Sequence, residues 1–235
     1  MALPSHLLPR PPMPLDASTV AAFERLYVDQ IHGGQGAAIE YRLAAPKWQF
    51  LCWLADQKSL VLHGSGDPDI VEFEPRQSND AEAFGNRKAI YGARDGLWPM
   101  YFAIVDRARY RMGLMNSCVR VVEPPTLAGS YYFFSIGGLA ETPLPARPWR
   151  AGTIYLLPNA TFERQTLAAQ AGVTIESTQV ASLVPVRPLA RLAVAPDDFP
   201  FLDAVSRHDP HTIRARAQAN PGGFPWLDVA DESAS

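Results

Sequence analysis

The chain has 235 residues, 47% of them hydrophobic and 19% charged, with a net charge of −3. That is length enough for one well-cored domain, and so small a charge of this sign leaves no electrostatic footprint for nucleic acid. No apolar run is long enough to span a bilayer, and the N-terminus carries Pro4, Pro9, Pro11, Pro12 and Pro14 in place of an apolar signal core. Residues 1–15 therefore read as a disordered leader and the protein as soluble and cytoplasmic. The two cysteines, Cys52 and Cys118, sit in apolar surroundings and need no pairing. Lysine occurs only as Lys47, Lys58 and Lys88, an arginine preference that reads as genomic bias.

In chain order, Asp16 or Ser18 caps a helix running to about His32, with Val20, Phe23, Tyr27 and Ile31 on one face. Gly33-Gly34 ends it. Residues 38–43 alternate as a half-exposed strand. Pro46 suits the first turn of a helix over Lys47 to Asp56, whose Trp48, Phe50, Leu51, Trp53 and Leu54 predict burial on most sides. Leu60-Val61-Leu62 is a short buried strand that delivers His63-Gly64-Ser65 at its end. A polar connection follows, then a second strand, Ala89-Ile90-Tyr91, and Asp95 caps a helix carrying Trp98, Tyr101, Phe102 and Val105.

Beyond Arg107 the pattern is strand-rich. Cys118 to Glu123, Ser130 to Ile136 and Thr153 to Leu157 are β-branched or aromatic runs, separated in part by a Pro-rich loop over Glu141 to Pro148. Val180 to Val194 alternates but holds Pro185 and Pro188, which predicts an edge strand or a bulge. Asp197-Asp198-Phe199-Pro200 starts a short helix. Strands scattered among a few helices give an α+β class with a mixed or antiparallel split sheet.

The ordered string of His63-Gly64-Ser65 at a strand end, a polar loop, Ile90-Tyr91 and an aromatic helix resembles the catalytic core of the ADP-ribosyltransferases of the poly(ADP-ribose) polymerase and diphtheria-toxin type. The resemblance implies an ADP-ribosyltransferase-like split sheet with flanking helices, residues 16–228 as a single catalytic domain, 229–235 as a flexible tail, and NAD as substrate without a metal. It implies that His63 bonds a ribose hydroxyl, that Ser65 supports the ribose and His63, and that the Gly64 backbone binds the carboxamide, where no side chain blocks approach. Tyr91 would stack on nicotinamide, and Tyr101 would close the other side, with Phe102 equally placed. Gripping the ribose and holding the leaving ring flat is what an oxocarbenium-like transition state needs.

The family's third signature residue is a Glu at the start of a late strand. Counting back from Val186-Arg187-Pro188-Leu189, the position falls on Gln179, which can hold a hydroxyl but cannot accept a proton as a carboxylate does. Glu176 and Glu163 stand in reserve. Arg76, in the loop Phe73 to Asp80, could pair a phosphate in bidentate fashion or face solvent. His208-Asp209-Pro210-His211 reads as a helix start before a metal site, and the polar helix near Arg214 and Arg216 reads as solvated. No phosphate-binding or dinucleotide-binding glycine fingerprint is present.

The expected activity is mono-ADP-ribosylation of an unknown acceptor, a protein before a nucleic acid or a small molecule. An NAD glycohydrolase, an RNA 2′-phosphotransferase-like enzyme and a degenerate NAD- or partner-binding domain are the alternatives. The acidic balance with few lysines counts against the phosphotransferase.

Overall fold

A computed structural model describes residues 4–78, 83–139, 144–165, 173–220 and 222–227. Its elements are, in order, β1 (Leu8–Pro9), α1 (Ala17–Gln30), β2 (Ala37–Ala38), α2 (Lys47–Gln57), β3 (Val61–Ser65), β4 (Arg76–Gln77), β5 (Lys88–Ala93), α3 (Trp98–Ile104) and β6 (Met112–Glu123). Then come β7 (Gly129–Gly138), β8 (Gly152–Leu157), β9 (Phe162–Arg164), β10 (Thr174–Ser177), β11 (Gln179–Ser182), β12 (Ala190–Val194), β13 (Ser206–Arg207) and α4 (Pro210–Ala219). The class is α+β with mixed, mostly antiparallel sheets.

One sheet runs β1-β7-β6-β10, with β13 also on β7, and is built around the long β6–β7 hairpin. The other runs β2-β12-β8-β3-β5-β11-β9, with β4 also on β5. Helix α3 bridges the two. A Cβ on Gly64 of β3 would lie 1.8 Å from the Pro99 carbonyl oxygen, so α3 rests directly on that strand. From the same helix the Tyr101 hydroxyl donates to the Ser135 carbonyl of β7 at 2.8 Å. Around it Phe134, Phe199 and Phe201 pack with Tyr132 into the main core, each buried ring contributing about 1.5–3 kcal/mol.

Local chemistry accounts for the helices. Asp16 accepts the Thr19 N–H at 2.6 Å and caps α1. Helix α2 starts after Pro46 and buries six consecutive residues, Phe50 to Ala55. Several expectations need correction. The strand expected at 38–43 is reduced to the two residues of β2, which add in parallel to β12. The stretch 180–194 holds two strands, with Pro185 and Pro188 in the connection, and neither is an edge: β11 lies between β5 and β9, and β12 between β2 and β8.

Nor are residues 4–15 a loose leader. Leu8 and Pro9 pair with Tyr132 and Tyr131, and Arg10 reaches the inside of the molecule. The loop tip at Asn79 and Asp80, the start of the Pro-rich loop at 141–143 and the tail 228–235 lie outside the described residues. Among the described residues no helix is long and apolar enough to cross a membrane.

Candidate functional site

Strand β5 is paired unequally on its two edges. Toward β11 it forms a four-residue ladder, from Gln179↔Ala93 to Ser182↔Ile90. Toward β3 the ladder has a single pair, Leu62↔Ala93, although β3 is fully paired with β8 from Val61 to Ser65. Beyond Leu62 the strands part, and the β5-facing edge of His63-Gly64-Ser65 has no ladder partner. The His63 side chain bridges this gap, with Nδ1 2.6 Å from the Tyr91 carbonyl oxygen.

A carbonyl can only accept, so Nδ1 carries the hydrogen and the neutral ring presents Nε2 as an acceptor. Burial holds the imidazole below its ordinary pKa, against the opposing pull of the Tyr91 carbonyl. Phe73 packs edge-on against the ring, with centroids 4.7 Å apart. The loop that follows is pinned from β8, where the Tyr155 hydroxyl donates to the Asp67 carbonyl and accepts the Ile70 N–H.

Alternation along the strands sorts the remaining candidates by face. Leu62 and Gly64 face α3, and the pairings Leu62↔Ala93, Gln179↔Ala93 and Ala181↔Tyr91 place Tyr91 and Gln179 on that same face. Val61, His63 and Ile90 lie on the other face, where His63 packs on Phe73 beside Tyr155, so the structure does not bring the His63 imidazole onto the face that carries the Tyr91 and Gln179 side chains. Tyr91 is half-buried, its hydroxyl donating to the Phe84 carbonyl at 2.9 Å and accepting the Arg87 N–H at 2.8 Å. Its ring is thereby fixed over the start of its own strand. Gln179 uses its backbone N–H on the Ser177 hydroxyl, and its side chain has no hydrogen-bond partner among the described residues.

Other candidates fall elsewhere. Tyr101 is fully buried between the sheets, and its hydroxyl, spanning to the Ser135 carbonyl, is committed to the core. Phe102 is half-buried beside it and beside Trp98, both packed on the edge of the core. The Ser65 hydroxyl accepts the Asp67 N–H at 3.1 Å and so shapes the turn after β3, leaving the support of His63 to the Tyr91 carbonyl. Glu176 belongs to β10 in the opposite sheet, paired with Arg120. Glu163, by contrast, sits opposite Ala181, on the Tyr91 face, and holds Arg87 at 3.1 Å.

Arg76 is exposed on β4, opposite Ala89 of β5 near the open end of the gap. His208 bonds the Ser135 hydroxyl and Asp209 caps α4, so both have structural roles. Among the described residues no group of three or more His, Cys, Asp or Glu is placed to hold a metal ion.

Two arginines join the site that sequence reasoning did not single out. Arg150 lies against Gly66, directly after the His63 strand: a Cβ there would be 1.5 Å from its guanidinium. Its Nε is buried without a hydrogen-bond partner. Arg87 leads into β5, stacks on Phe84 at 4.4 Å, and has Nε and Nη2 buried and unpartnered although Nη1 holds Glu163. Their only signal in sequence is position, one just before the Tyr91 strand and one just before β8.

The gap thus offers unpaired backbone groups, with a neutral imidazole acceptor and Phe73 on one face of the sheet, and an aromatic ring and a carboxamide on the other; guanidinium donors lie at its ends. These suit a ligand with an amide, hydroxyls and an anionic portion. Comparison of the chain with protein-family models finds no match, and neither does comparison with curated proteins or with solved structures.

Proposed function

We propose that the protein cleaves NAD between nicotinamide and ribose and transfers the ADP-ribose to an acceptor. The observation that supports this most is that the ladder fails between β3 and β5 beside His63-Gly64-Ser65, so that a ligand seated in the opening would meet His63 on one face of the sheet and Tyr91 and Gln179 on the other. In the gap, unpaired peptide groups beside Gly64 would bind the carboxamide. Tyr91 would stack on the pyridinium, with Phe102 in the second aromatic role. His63 Nε2 would accept a ribose hydroxyl, and Gln179 would hold another. Arg150, Arg87 and Arg76 are the donors for the diphosphate.

In the reaction the bond from C1′ to the pyridinium nitrogen breaks and nicotinamide leaves with its electron pair. The acceptor forms the new bond to C1′ and gives up its proton. Gln179 cannot take that proton, which favours addition of a single ADP-ribose to an acceptor that is already a good nucleophile, or transfer to water. Glu163 is the carboxylate nearest to this role by register, opposite Ala181 and on the Tyr91 face.

The test is nicotinamide release from NAD by the purified protein, with and without cell lysate, for the wild type and for His63→Ala. Release that requires His63 is expected, and stimulation by lysate would identify transfer over hydrolysis. Because burial lowers the His63 pKa, the rate should hold as pH falls past about 6.5, the ordinary histidine value. Wild-type turnover in His63→Ala, or absence of both NAD binding and release, removes the proposal.

A further inference from the structure

Where the chain passes from β10 in one sheet to β11 in the other, a cleft of about 70 Å³ opens, lined by Arg94, Arg120, Arg164, Glu176, Ser177 and Thr178. Three guanidinium groups and one carboxylate leave this lining two positive charges in excess, in a chain of net charge −3. Among the described residues only Arg120 of the three has an ion-pair partner: it reaches Asp56 at 3.0 Å, and Asp56 also holds Arg10 at 2.6 Å. Arg94 and Arg164 make no ion pair among the described residues, and Arg94 is half-buried. Its backbone N–H donates to the Thr178 carbonyl at 2.8 Å, which fixes its position beside the crossover.

Like charges gathered around so small a space repel one another unless an anion enters. The hydroxyls of the lining are already committed. Ser177 donates to Gln165 and accepts from Gln179, and Thr178 donates to the Cys118 carbonyl. Recognition therefore falls to the arginine forks, whose geometry matches phosphate oxygens.

We propose that this cleft is a phosphate-binding site. Arg94 and Arg164 offer two guanidinium forks without an ion pair among the described residues, the bidentate donors that phosphate oxygens take. The volume, several times what one water needs, accommodates a tetrahedral anion. The site stands on its own arginines and does not depend on NAD cleavage. It lies one residue from Gln179, so if the NAD reading holds, the phosphate belongs either to the acceptor or to NAD itself.

The test is calorimetric titration of inorganic phosphate and of pyrophosphate into the wild type, Arg94→Gln/Arg164→Gln and His63→Ala. Wild-type binding should weaken about tenfold for each guanidinium removed and should survive in His63→Ala. Should the double variant fail to fold, exposed Arg164→Gln alone carries the test. Repeating the titration with NAD present separates the sources: unchanged phosphate affinity assigns the site to a second ligand, competition assigns it to the NAD diphosphate. No binding at millimolar phosphate, or equal binding in the arginine variants, overturns the site. Loss of NAD cleavage with phosphate binding retained would sink only the proposed reaction.

Discussion

The two ends of strand β5 treat buried charge in opposite ways. Just past its C-terminal end, Asp95 is fully buried and every contact it needs is made. Its Oδ1 accepts the Leu97 and Trp98 N–H groups at 2.8 Å each, ordering the turn that leads into α3, and its Oδ2 accepts the Tyr132 hydroxyl at 2.6 Å and Arg10 at 2.8 Å. Burial and the Asp95 charge both push the Tyr132 hydroxyl up in pKa, so it stays a donor. Just before the N-terminal end, Arg87 keeps two buried nitrogens with no partner, and Arg150 keeps one at the facing turn. Buried polar groups are ordinarily satisfied. A satisfied one has its reason within the fold, whereas unsatisfied donors gathered at one gap have theirs in what enters it.

Asp95→Ala tests the first half of that contrast and carries the largest expected effect. It leaves Arg10 with Asp56 alone, orphans the Tyr132 hydroxyl and frees the Leu97 and Trp98 N–H groups, which should lower unfolding free energy by about 2–4 kcal/mol in denaturant titration. A loss below about 1 kcal/mol would mean the network is not what holds α3 between the sheets. Gly64→Ala comes next. Its Cβ would lie 1.8 Å from the Pro99 oxygen and 2.9 Å from the Ala103 nitrogen, both backbone atoms, so α3 must shift as a body. The cost should be about 1–3 kcal/mol. A stable Gly64→Ala protein would show that α3 can be lifted off β3.

Much of this architecture is legible in the sequence, because it is local. The Asp16 cap, the circumferential apolar face of α2 and the Leu60-Val61-Leu62 run all follow from residues a few positions apart, while Asp95, expected as the cap of α3, orders the turn two residues before the N-cap Leu97. His63 and Tyr91, expected at strand ends, instead lie inside β3 and β5 and on opposite faces of the sheet, because both strands run on past them. What stayed hidden depends on distant pairing. Leu8 and Pro9 lie in a Pro-rich stretch that composition marks as disordered, yet they find an open edge on β7 more than a hundred residues away.

Tyr101 and Phe102 are neighbours with similar side chains, and only the position of Ser135 on another sheet decides which one is buried. Glu176 and Gln179 are three residues apart but belong to different sheets, because Thr178 lies at the crossover between them. The arginines of both proposed sites converge from separate strands and loops, and nothing in their own neighbourhoods announces it.

The smallest expected change in stability is the one that sharpens the contrast most. Arg150→Gln removes a guanidinium whose Nε is buried without a partner and which makes no ion pair among the described residues. If that group served the fold, its loss would cost about as much as other buried polar deletions, about 1–3 kcal/mol. If it is kept for a ligand, stability should stay within about 0.5 kcal/mol, since the replacement also relieves the desolvation of an unsatisfied donor. Gly66 supports the second account: the turn has no side chain where the guanidinium lies, so the chain makes room for a charge that makes no ion pair among the described residues. The same variant should weaken NAD binding about tenfold, the equivalent of one charge-assisted hydrogen bond to a diphosphate oxygen. Denaturation and NAD titration on one protein sample therefore decide the matter. A destabilised variant that binds NAD normally would make Arg150 part of the scaffold, and the two ends of β5 would then differ only in how well their charges are satisfied.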